Sequence, residues 1–277
     1  MRFNKTLLIA DADGTLLTDD KRILDADKSA IAELIEGGGM FTIATGRGVS
    51  LAKVVVDELG LDLLSTPAVI FNGAVVYDYK KSEFLYKCCL DEKAIDYVEK
   101  IMAALPQIGM EILVDGKVYV VSMNEFEQEH IDFGIDADSL IECDYRDVPK
   151  AGWIKVLFVD SPQMIDKVIE FTQANPCDCV HMVRSGPSFY EVLPREVNKG
   201  TGFRKLIELM DLQGYRVVAA GDYMNDLEML QQADIAVAAG NAEKVVKDIA
   251  DVVVCDNNSG VIRNIVEYLK GNVKDGQ

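Results

Sequence analysis

The 277-residue sequence has few of the residues that build the commonest metal and nucleophile sites. It has only two histidines, His130 and His181, and neither has a partner at ligand spacing, so a histidine–serine triad is not indicated. The six cysteines include no zinc-type Cys-x-x-Cys pair, and Cys177 and Cys179 have no second pair nearby. We therefore expect all six cysteines to be packing thiols in a reducing compartment.

Long apolar segments are also missing. The run Thr6–Ala10 is too short for the core of a signal peptide, and no run reaches membrane-spanning length. These features predict a cytoplasmic protein without a membrane partner.

Basic residues are scarce relative to acidic ones. The chain has 28 Lys and Arg against 46 Asp and Glu, which gives a net charge of −18. Such a surface repels nucleic acid and anionic lipid, so neither is an expected partner. The sequence has no Gly-x-x-x-x-Gly-Lys-Ser/Thr motif, and Gly46-Arg47-Gly48 lacks the third glycine of a dinucleotide loop. An anionic substrate would therefore need a local positive site of another kind.

What the chain does contain is an alternation of short apolar runs and amphipathic segments. Thr6–Ala10, Met40–Ala44 and Ala68–Phe71 are typical of buried strands, and Asp25 is expected to cap a helix over Ala26–Glu36. The same alternation returns after Lys199. This pattern predicts an α/β fold with a Rossmann-like parallel sheet.

The middle of the chain has a different pattern. Glu111–Val114 and Lys117–Val121 flank Asp115-Gly116, a strong signal for a two-residue hairpin turn. Paired strands and helices of this kind predict an inserted α+β domain over 79–193. The core domain would then comprise 1–78 and 194–277.

Polar clusters follow three of the predicted parallel strands: Asp11–Thr15, Thr45–Arg47 and Asp222–Asp226. Open parallel sheets bind ligands beyond the carboxyl ends of their strands, so these clusters are expected to meet at one crevice. Lys199, at the entry to a helix, can point into the same crevice.

The aspartates of these clusters would crowd negative charge. Asp11, Asp13, Asp222 and Asp226 must either take up protons or recruit a cation if they lie close together. Oxygen ligands favour a hard divalent ion such as Mg²⁺, which often shares phosphate oxygens with the protein.

A phosphate group suits this arrangement. Lys199, Arg47 and loop amides beside a metal would form a phosphate site within an acidic protein. The spacing of Asp11 and Asp13 suits a division of labour in which one carboxylate attacks phosphorus and the other handles the proton. Gly14 permits the tight turn that directs N–H groups at phosphate oxygens.

Each motif also has an ordinary structural explanation when it is taken alone. An Asp-x-Asp-Gly segment after a strand is more often a turn than a site. Lys199 can be a solvated helix residue, and Asp226 can simply favour the first turn of a helix. Their joint occurrence at strand ends favours the functional interpretation.

The motif set resembles the haloacid dehalogenase superfamily, and within it the Cof-type sugar-phosphatase-like hydrolases. The matching motifs, in order, are Asp11-Ala12-Asp13-Gly14-Thr15, Thr42-Ile43-Ala44-Thr45-Gly46-Arg47, Asn198-Lys199-Gly200 and Gly221-Asp222-Tyr223-Met224-Asn225-Asp226.

The resemblance implies a role for each matching residue. Asp11 would be the nucleophile that forms an aspartyl-phosphate, and Asp13 would be the acid and base. Mg²⁺ would be held by Asp11, the backbone carbonyl of Asp13 and Asp222, with Asp226 in support. The residues implied in binding the phosphoryl group and substrate are Thr45, Gly46, Arg47, Lys199 and Asn225.

The function that the resemblance implies is Mg²⁺-dependent hydrolysis of small phosphate esters, such as sugar phosphates or phosphorylated cofactor precursors. Two alternatives stay open: a phosphomutase, which returns the phosphate to its substrate, and a non-catalytic sensor of phosphorylated metabolites. Substrate specificity is expected to depend on the insert.

Overall fold

The computed structural model describes residues 2–132, 135 and 137–272. Its strands are β1 (Thr6–Ala10), β2 (Met40–Ile43), β3 (Ala68–Ile70), β4 (Val75–Asp78), β5 (Glu83–Lys87), β6 (Gly109–Val114), β7 (Lys117–Ser122), β8 (Leu140–Glu142), β9 (Trp153–Val159), β10 (Val180–Gly186), β11 (Phe189–Pro194), β12 (Arg216–Gly221), β13 (Ile235–Ala238) and β14 (Val252–Val253). Its α-helices are α1 (Asp25–Glu36), α2 (Val49–Leu59), α3 (Glu92–Ala104), α4 (Glu125–Asp132), α5 (Pro162–Ala174), α6 (Lys199–Leu209), α7 (Leu227–Leu230), α8 (Lys244–Ile249) and α9 (Val261–Asn272).

The chain divides into two compact units. The first comprises Met1–Thr45, Ala52–Leu85 and Asn198–Gln277, and the second comprises Gly46–Leu51 and Tyr86–Val197. The chain thus leaves the first unit twice, once for six residues and once for the long insert.

The first unit contains a five-stranded sheet in the order β14-β13-β12-β1-β2. All four strand pairs are parallel, and every residue of β1 is buried. Burial on both faces explains the continuous apolar run Thr6–Ala10, since a strand covered on both faces needs no polar alternation. The predicted α/β class with a parallel sheet is confirmed.

The register of this sheet decides which polar residues become neighbours. Ala10 pairs with Ala220 across β1 and β12, so the carboxyl ends of these strands coincide. Asp11 and Asp222 follow directly, and the backbone N–H of Asp11 donates to Ala220 O at 2.9 Å. Asp11 and Asp222, more than two hundred positions apart in the sequence, therefore lie next to each other at the carboxyl ends of adjacent strands.

The second unit contains a six-stranded sheet in the order β10-β11-β9-β6-β7-β8, antiparallel except for the pair β7 and β8. The predicted hairpin is confirmed: Val114 pairs with Lys117, and both Asp115 (φ 48°) and Gly116 (φ 81°) have the positive φ of a type I′ turn.

The two faces of this sheet differ in chemistry. Apolar residues such as Ile112, Val156 and Phe158 form a core with α3 and α5 on one face. The opposite face carries the buried carboxylates of Glu111 and Glu191. These two residues share a face because both pair with Leu157 of β9, from the strands on either side of it. The charged face is the unusual feature of the unit, since ionised side chains are rarely buried without a partner.

Two expectations from the sequence are wrong. Asp25 does not cap α1, because the N-cap is Leu24, whose carbonyl accepts the first helical hydrogen bonds from the N–H groups of Asp27 and Lys28. Asp25 instead occupies the first turn, where its charge complements the helix dipole. Cys177 and Cys179 are not thiols but are joined by a disulfide, and their Cα atoms lie 5.4 Å apart.

Over residues 2–132, 135 and 137–272, every helix is too short or too polar to cross a membrane.

Candidate active site

The loop after β1 folds back on itself tightly. The N–H of Leu16 donates to Asp11 O at 3.2 Å, and that of Leu17 donates to Ala12 O at 2.8 Å. Gly14 has a φ of +77°, and a Cβ at this position would lie 2.3 Å from Asp222 Oδ2. A glycine is therefore required twice over, for its backbone conformation and for the close approach of Asp222.

Lys199 brings a positive charge to the carboxyl end of β1. It is the first residue of α6, whose N-cap, Asn198, accepts a hydrogen bond from the N–H of Thr201 and forms a capping box with it. The Lys199 side chain is fully buried, and its Nζ lies 2.5 Å from Asp11 Oδ1 and 2.6 Å from Asp226 Oδ1. One ammonium group thus bridges two carboxylates.

Asp226 is held from several sides. Its Oδ2 accepts hydrogen bonds from the backbone N–H groups of Asp222 at 2.9 Å and Tyr223 at 3.1 Å, while Oδ1 accepts from Lys199. Asp222 in turn receives a hydrogen bond from Thr15 Oγ1 at 3.0 Å. The two carboxylates are therefore fixed by different groups of the same unit.

The site holds more negative than positive charge. Burial raises the pKa of Asp11 well above its ordinary value, and Asp226 and Asp222 add to this effect while Lys199 opposes it. Burial, followed by the charge of Asp226, raises the pKa of Asp222 to about 7. Burial alone would lower the pKa of Lys199, but Asp11 and Asp226 outweigh it and hold the pKa above its usual range. Such a cluster favours uptake of a proton or a further cation.

The geometry fits a divalent cation. Asp11, Asp222 and Asp226 each offer a carboxylate oxygen, and these oxygens all lie within 4.8 Å of one another. An all-oxygen donor set suits a hard ion, and the excess negative charge supplies the attraction. The predicted carboxylates are thus placed where they can hold a metal, although Asp226 is also engaged by Lys199.

Asp13 lies outside this group of three carboxylates. Its side chain is 41% exposed, and its Oδ1 accepts a hydrogen bond from Lys21 Nζ at 2.9 Å. The predicted metal contact of Asp13 is through its backbone carbonyl, so its side chain stays available for proton transfer. Asp11 is buried whereas the Asp13 side chain is partly exposed, so the two carboxylates lie in different environments.

Thr45 and Asn225 are tied to a third residue, Asn72. The N–H of Asn72 donates to Thr45 O at 3.0 Å, and Asn225 Nδ2 donates to Asn72 Oδ1 at 2.9 Å. Thr45 is buried and its own N–H donates to Val69 O at 2.9 Å. Asn72 thus links two predicted phosphate ligands that are far apart in sequence.

Gly46 and Arg47 belong to the second unit. There the carbonyl oxygen of Gly46 accepts a hydrogen bond from Lys155 Nζ at 3.1 Å. Arg47 Nη1 donates to Leu51 O at 3.3 Å.

Three residues were missed as site residues by sequence reasoning. Thr15 binds Asp222, Asn72 binds Asn225, and Asn241 Nδ2 donates to Gly14 O at 2.8 Å. Asn241 follows β13 closely, so the rule that ligand groups gather at carboxyl ends of parallel strands could have identified it. Asn72 has the left-handed φ of 50°, which nothing in the sequence beyond Asn-Gly indicates.

The chain is similar to several phosphatases over nearly its whole length. It is 29% identical over 279 residues to the pyridoxal phosphate phosphatase YbhA of Escherichia coli, and the alignment covers 94% of this chain and 97% of YbhA. It is 26% identical over 267 residues to the 5-amino-6-(5-phospho-D-ribitylamino)uracil phosphatase YitU of Bacillus subtilis, covering 95% and 97%.

A solved structure shows the same fold. The crystal structure of TM0651 from Thermotoga maritima superposes with a TM-score of 0.79 at 27% identity, over 95% of this chain and 96% of that one. The family model for haloacid dehalogenase-like hydrolases matches residues 8–265. The resemblance predicted from the four motifs is thereby confirmed, and the chain belongs to the haloacid dehalogenase-like hydrolase family.

Proposed function

We propose that this chain, a phosphatase of the haloacid dehalogenase-like family, hydrolyses small phosphorylated metabolites through an aspartyl-phosphate on Asp11. The observation that most directly supports this proposal is the environment of the buried Asp11 carboxylate. Its Oδ1 lies 2.5 Å from Lys199 Nζ, and carboxylate oxygens of Asp222 and Asp226 lie within 4.8 Å of this carboxylate. A carboxylate fixed beside an ammonium and two more carboxylates suits attack on a phosphate that a cation neutralises.

The first step transfers the phosphoryl group to the protein. An Asp11 oxygen forms a bond to phosphorus while the bond between phosphorus and the alcohol oxygen breaks. Asp13, in its protonated form, gives its proton to the leaving alkoxide, and the free alcohol departs. Asp13 is suited to this role because its side chain is 41% exposed and can meet both solvent and a leaving group.

The second step returns Asp11 to its starting state. Asp13, now a carboxylate, takes a proton from a water molecule whose oxygen bonds to phosphorus. The bond between Asp11 and phosphorus then breaks, and inorganic phosphate leaves. Asp13 ends the cycle protonated, as it began.

Binding of the phosphoryl group is assigned to Thr45, the Gly46 amide, Lys199 and Asn225, and Arg47 is assigned to the substrate side. The support for this assignment is their match to the family motifs, together with the buried positions of Thr45 and Lys199. Mg²⁺, held by Asp11, the Asp13 carbonyl and Asp222 with Asp226 in support, would neutralise phosphate charge during transfer.

The names of the relatives suggest the class of substrate. YbhA acts on pyridoxal phosphate and YitU on a phosphoribitylamino uracil, and both substrates are small phosphate monoesters. We propose the same broad class here, together with sugar phosphates.

The test is hydrolysis of p-nitrophenyl phosphate with and without Mg²⁺, comparing wild type with Asp11→Asn. The variant keeps the shape of the side chain but removes the nucleophile, so kcat should fall by about 10³-fold or more. Asp57→Asn, an exposed substitution on α2, is the matched control and should leave kcat unchanged. Equal rates for wild type and Asp11→Asn in a clean preparation would contradict the proposal.

A panel of phosphorylated metabolites then separates the alternatives. Released inorganic phosphate supports hydrolysis. An isomerised sugar phosphate without released phosphate would identify a phosphomutase, and binding without any turnover would identify a sensor.

A further inference from the structure

The loop between β13 and α8 (239–243) contacts both of the loops that carry the proposed metal ligands. The backbone N–H of Glu243 donates to Asp222 O at 2.9 Å, and Asn241 Nδ2 donates to Gly14 O at 2.8 Å. All four residues belong to the first unit. The bond from Glu243 involves only backbone atoms, whereas the bond to Gly14 requires the amide side chain of Asn241.

The bond from Asn241 acts on a permissive point of the loop after β1. Gly14 has a φ of +77° and no side chain, so its backbone torsions are restricted chiefly by hydrogen bonds and neighbouring groups. Because the peptide unit is planar, the ψ of Gly14 sets both the direction of its carbonyl and the position of the next residue, Thr15. A hydrogen bond to Gly14 O therefore also fixes where Thr15 lies.

Thr15 carries this effect to a proposed metal ligand. It is fully buried, and its Oγ1 donates to Asp222 Oδ1 at 3.0 Å. A hydrogen bond weakens steeply when its angle departs from linearity, so the placement of Thr15 decides how firmly Asp222 is oriented. Groups that hydrogen-bond a metal-ligating carboxylate orient it, and their loss commonly lowers metal affinity about 10- to 100-fold.

Asn241 is itself held in place by Asn257. The backbone N–H of Asn257 donates to Asn241 Oδ1 at 3.0 Å, which leaves the amide nitrogen facing Gly14 O. Asn257 is buried, and its Nδ2 donates to Leu17 O and to Asp19 Oδ1, each at 3.0 Å. Leu17 and Asp19 follow Gly14 on the same loop, so the two asparagines hold this loop at separate points.

We propose that Asn241 is a positioning residue for the metal site, which holds the peptide between Gly14 and Thr15 so that Thr15 orients Asp222. The inference rests on the proposed function, in which Asp222 is a ligand of Mg²⁺. Asn241 acts through Gly14 and Thr15, so its loss should weaken Mg²⁺ binding more than it slows the chemical step.

The test variant is Asn241→Ala, which should fold because Asn241 is exposed. Calorimetric titration of the metal-stripped full chain with Mg²⁺ should give a dissociation constant about three- to tenfold above that of wild type, the effect of one hydrogen bond. At saturating Mg²⁺, kcat should stay within about twofold of wild type. Unchanged Mg²⁺ binding in Asn241→Ala would overturn the proposal.

Asn264→Ala is the matched control. Asn264 lies on α9 in the same unit, and its Nδ2 also donates to a backbone carbonyl, that of Gly260, at 3.3 Å. Its replacement removes a hydrogen bond of the same kind away from the loop after β1, so the Mg²⁺ constant should match that of wild type. An equal rise of the Mg²⁺ constant in Asn264→Ala would also contradict the assigned role.

A double-mutant cycle tests the route through Thr15. Thr15→Val keeps the shape of the side chain but removes the hydroxyl that binds Asp222. In this background, Asn241→Ala should change the Mg²⁺ constant by less than about twofold, because the position of Thr15 no longer affects Asp222. A general loss of packing would instead give additive effects, and additive effects would overturn the proposal.

Magnesium binding without substrate keeps this proposal apart from the proposed function. If wild type shows no Asp11-dependent turnover, the proposed function fails, and the calorimetric constants still decide whether Asn241 positions the site. Asp11-dependent turnover with equal Mg²⁺ constants in wild type and Asn241→Ala would retain the proposed function and overturn the positioning role. A wild-type chain that binds no Mg²⁺ would overturn the positioning role as well.

Discussion

Lys199 and Asp11 form a buried pair in which Nζ lies 2.5 Å from Oδ1, across 188 positions of sequence. Because the same ammonium lies 2.6 Å from Asp226 Oδ1, it holds the proposed nucleophile and the fourth-motif aspartate in one arrangement.

The first prediction concerns this ammonium. Lys199→Met should lower kcat/KM by about 10²-fold or more, since it leaves Asp11 and Asp226 as buried carboxylates without a protein cation. Stability should also fall, by about 3–5 kcal/mol in the absence of metal. Steady-state kinetics and denaturant unfolding measure the two effects.

Lys205→Met is the control for the Lys199 substitution. Lys205 lies on the same helix, and its Nζ is 2.9 Å from Oε2 of the largely exposed Glu208. Its replacement should change neither kcat/KM nor stability measurably. Activity of Lys199→Met within threefold of wild type would contradict the assigned role.

The second prediction concerns the close approach of Gly14 to Asp222. In Gly14→Ala the new Cβ would meet Asp222 Oδ2 at 2.3 Å, so the carboxylate must move. We expect the Mg²⁺ concentration for half-maximal activity to rise about tenfold or more, since a displaced ligand binds its cation less well. Activity titrated against Mg²⁺ measures the shift.

Gly214→Ala provides the matched control for Gly14→Ala. Gly214 also has a positive φ, +84°, but a Cβ there meets nothing within 4 Å. Both variants therefore share the backbone strain, of about 1 kcal/mol, and only Gly14→Ala disturbs Asp222. Equal Mg²⁺ midpoints in the two variants would show that the contact has no functional consequence.

The third prediction concerns Asn72, which joins Thr45 to Asn225. Asn72 has φ 50° and ψ 32°, a conformation that Asn and Gly tolerate better than other residues. Asn72→Gly keeps this backbone available but removes the oxygen that accepts from Asn225 Nδ2. We expect the inhibition constant of inorganic phosphate to rise about three- to tenfold, because Asn225 loses its orientation.

Asn72→Ala adds backbone strain to the same loss. It should therefore lower the unfolding midpoint relative to Asn72→Gly while raising the phosphate constant at least as much. Phosphate inhibition that is unchanged in Asn72→Gly would remove Asn225 from the proposed phosphate ligands.

Much of the first unit could be predicted from the sequence because its signals are local. The run Thr6–Ala10 is apolar throughout, and the polar residues Asp11 and Asp222 follow strands directly, so parallel pairing was enough to place them together. The hairpin at Asp115-Gly116 could be predicted for a similar reason, since few residue pairs readily adopt two consecutive positive φ values.

What the sequence could not predict depends on contacts between distant segments. The hydrogen bond from Asn225 Nδ2 to Asn72 Oδ1 joins positions 153 apart, and no periodicity in the sequence indicates such a contact. The cap of α1 was misassigned because Asp25 matched a local rule, while the backbone begins the helix one residue earlier. The burial of three charged residues of the insert could not be predicted from the sequence. Glu111, Lys155 and Glu191 are flanked by apolar residues, as the solvent-exposed residues of a half-buried strand also are.

Another buried acidic side chain of the insert, that of Glu127, affects how stability depends on pH. Glu127 on α4 is completely buried, and neither of its oxygens accepts a hydrogen bond from the described residues. Burial, followed by the charge of Glu111, raises its pKa from 4.5 to about 9. A protonated Glu127 can instead donate to Glu111, whose Oε1 also lies 3.7 Å from His130 Nε2.

The fourth prediction follows from this raised pKa. Between pH 4.5 and about 9 the folded protein keeps a proton on Glu127 that the unfolded chain releases. The stabilisation is therefore complete below pH 4.5 and is lost as the pH rises towards 9, by at most about 1.4 kcal/mol per pH unit. Glu127→Gln should flatten this slope, because an amide can donate to Glu111 at every pH.

The measurement can be confined to the second unit. Trp153 is the single tryptophan of the chain and is fully buried there, so its fluorescence reports the unfolding of this unit. At pH 8.5 the midpoint of Glu127→Gln should exceed that of wild type, and at pH 5 the two should converge. Glu129→Gln, an exposed substitution on the same helix, should keep the wild-type slope. Parallel pH profiles for wild type and Glu127→Gln would mean that Glu127 is ionised in the folded protein, and the Glu111 pair would then need a cation in place of the proton.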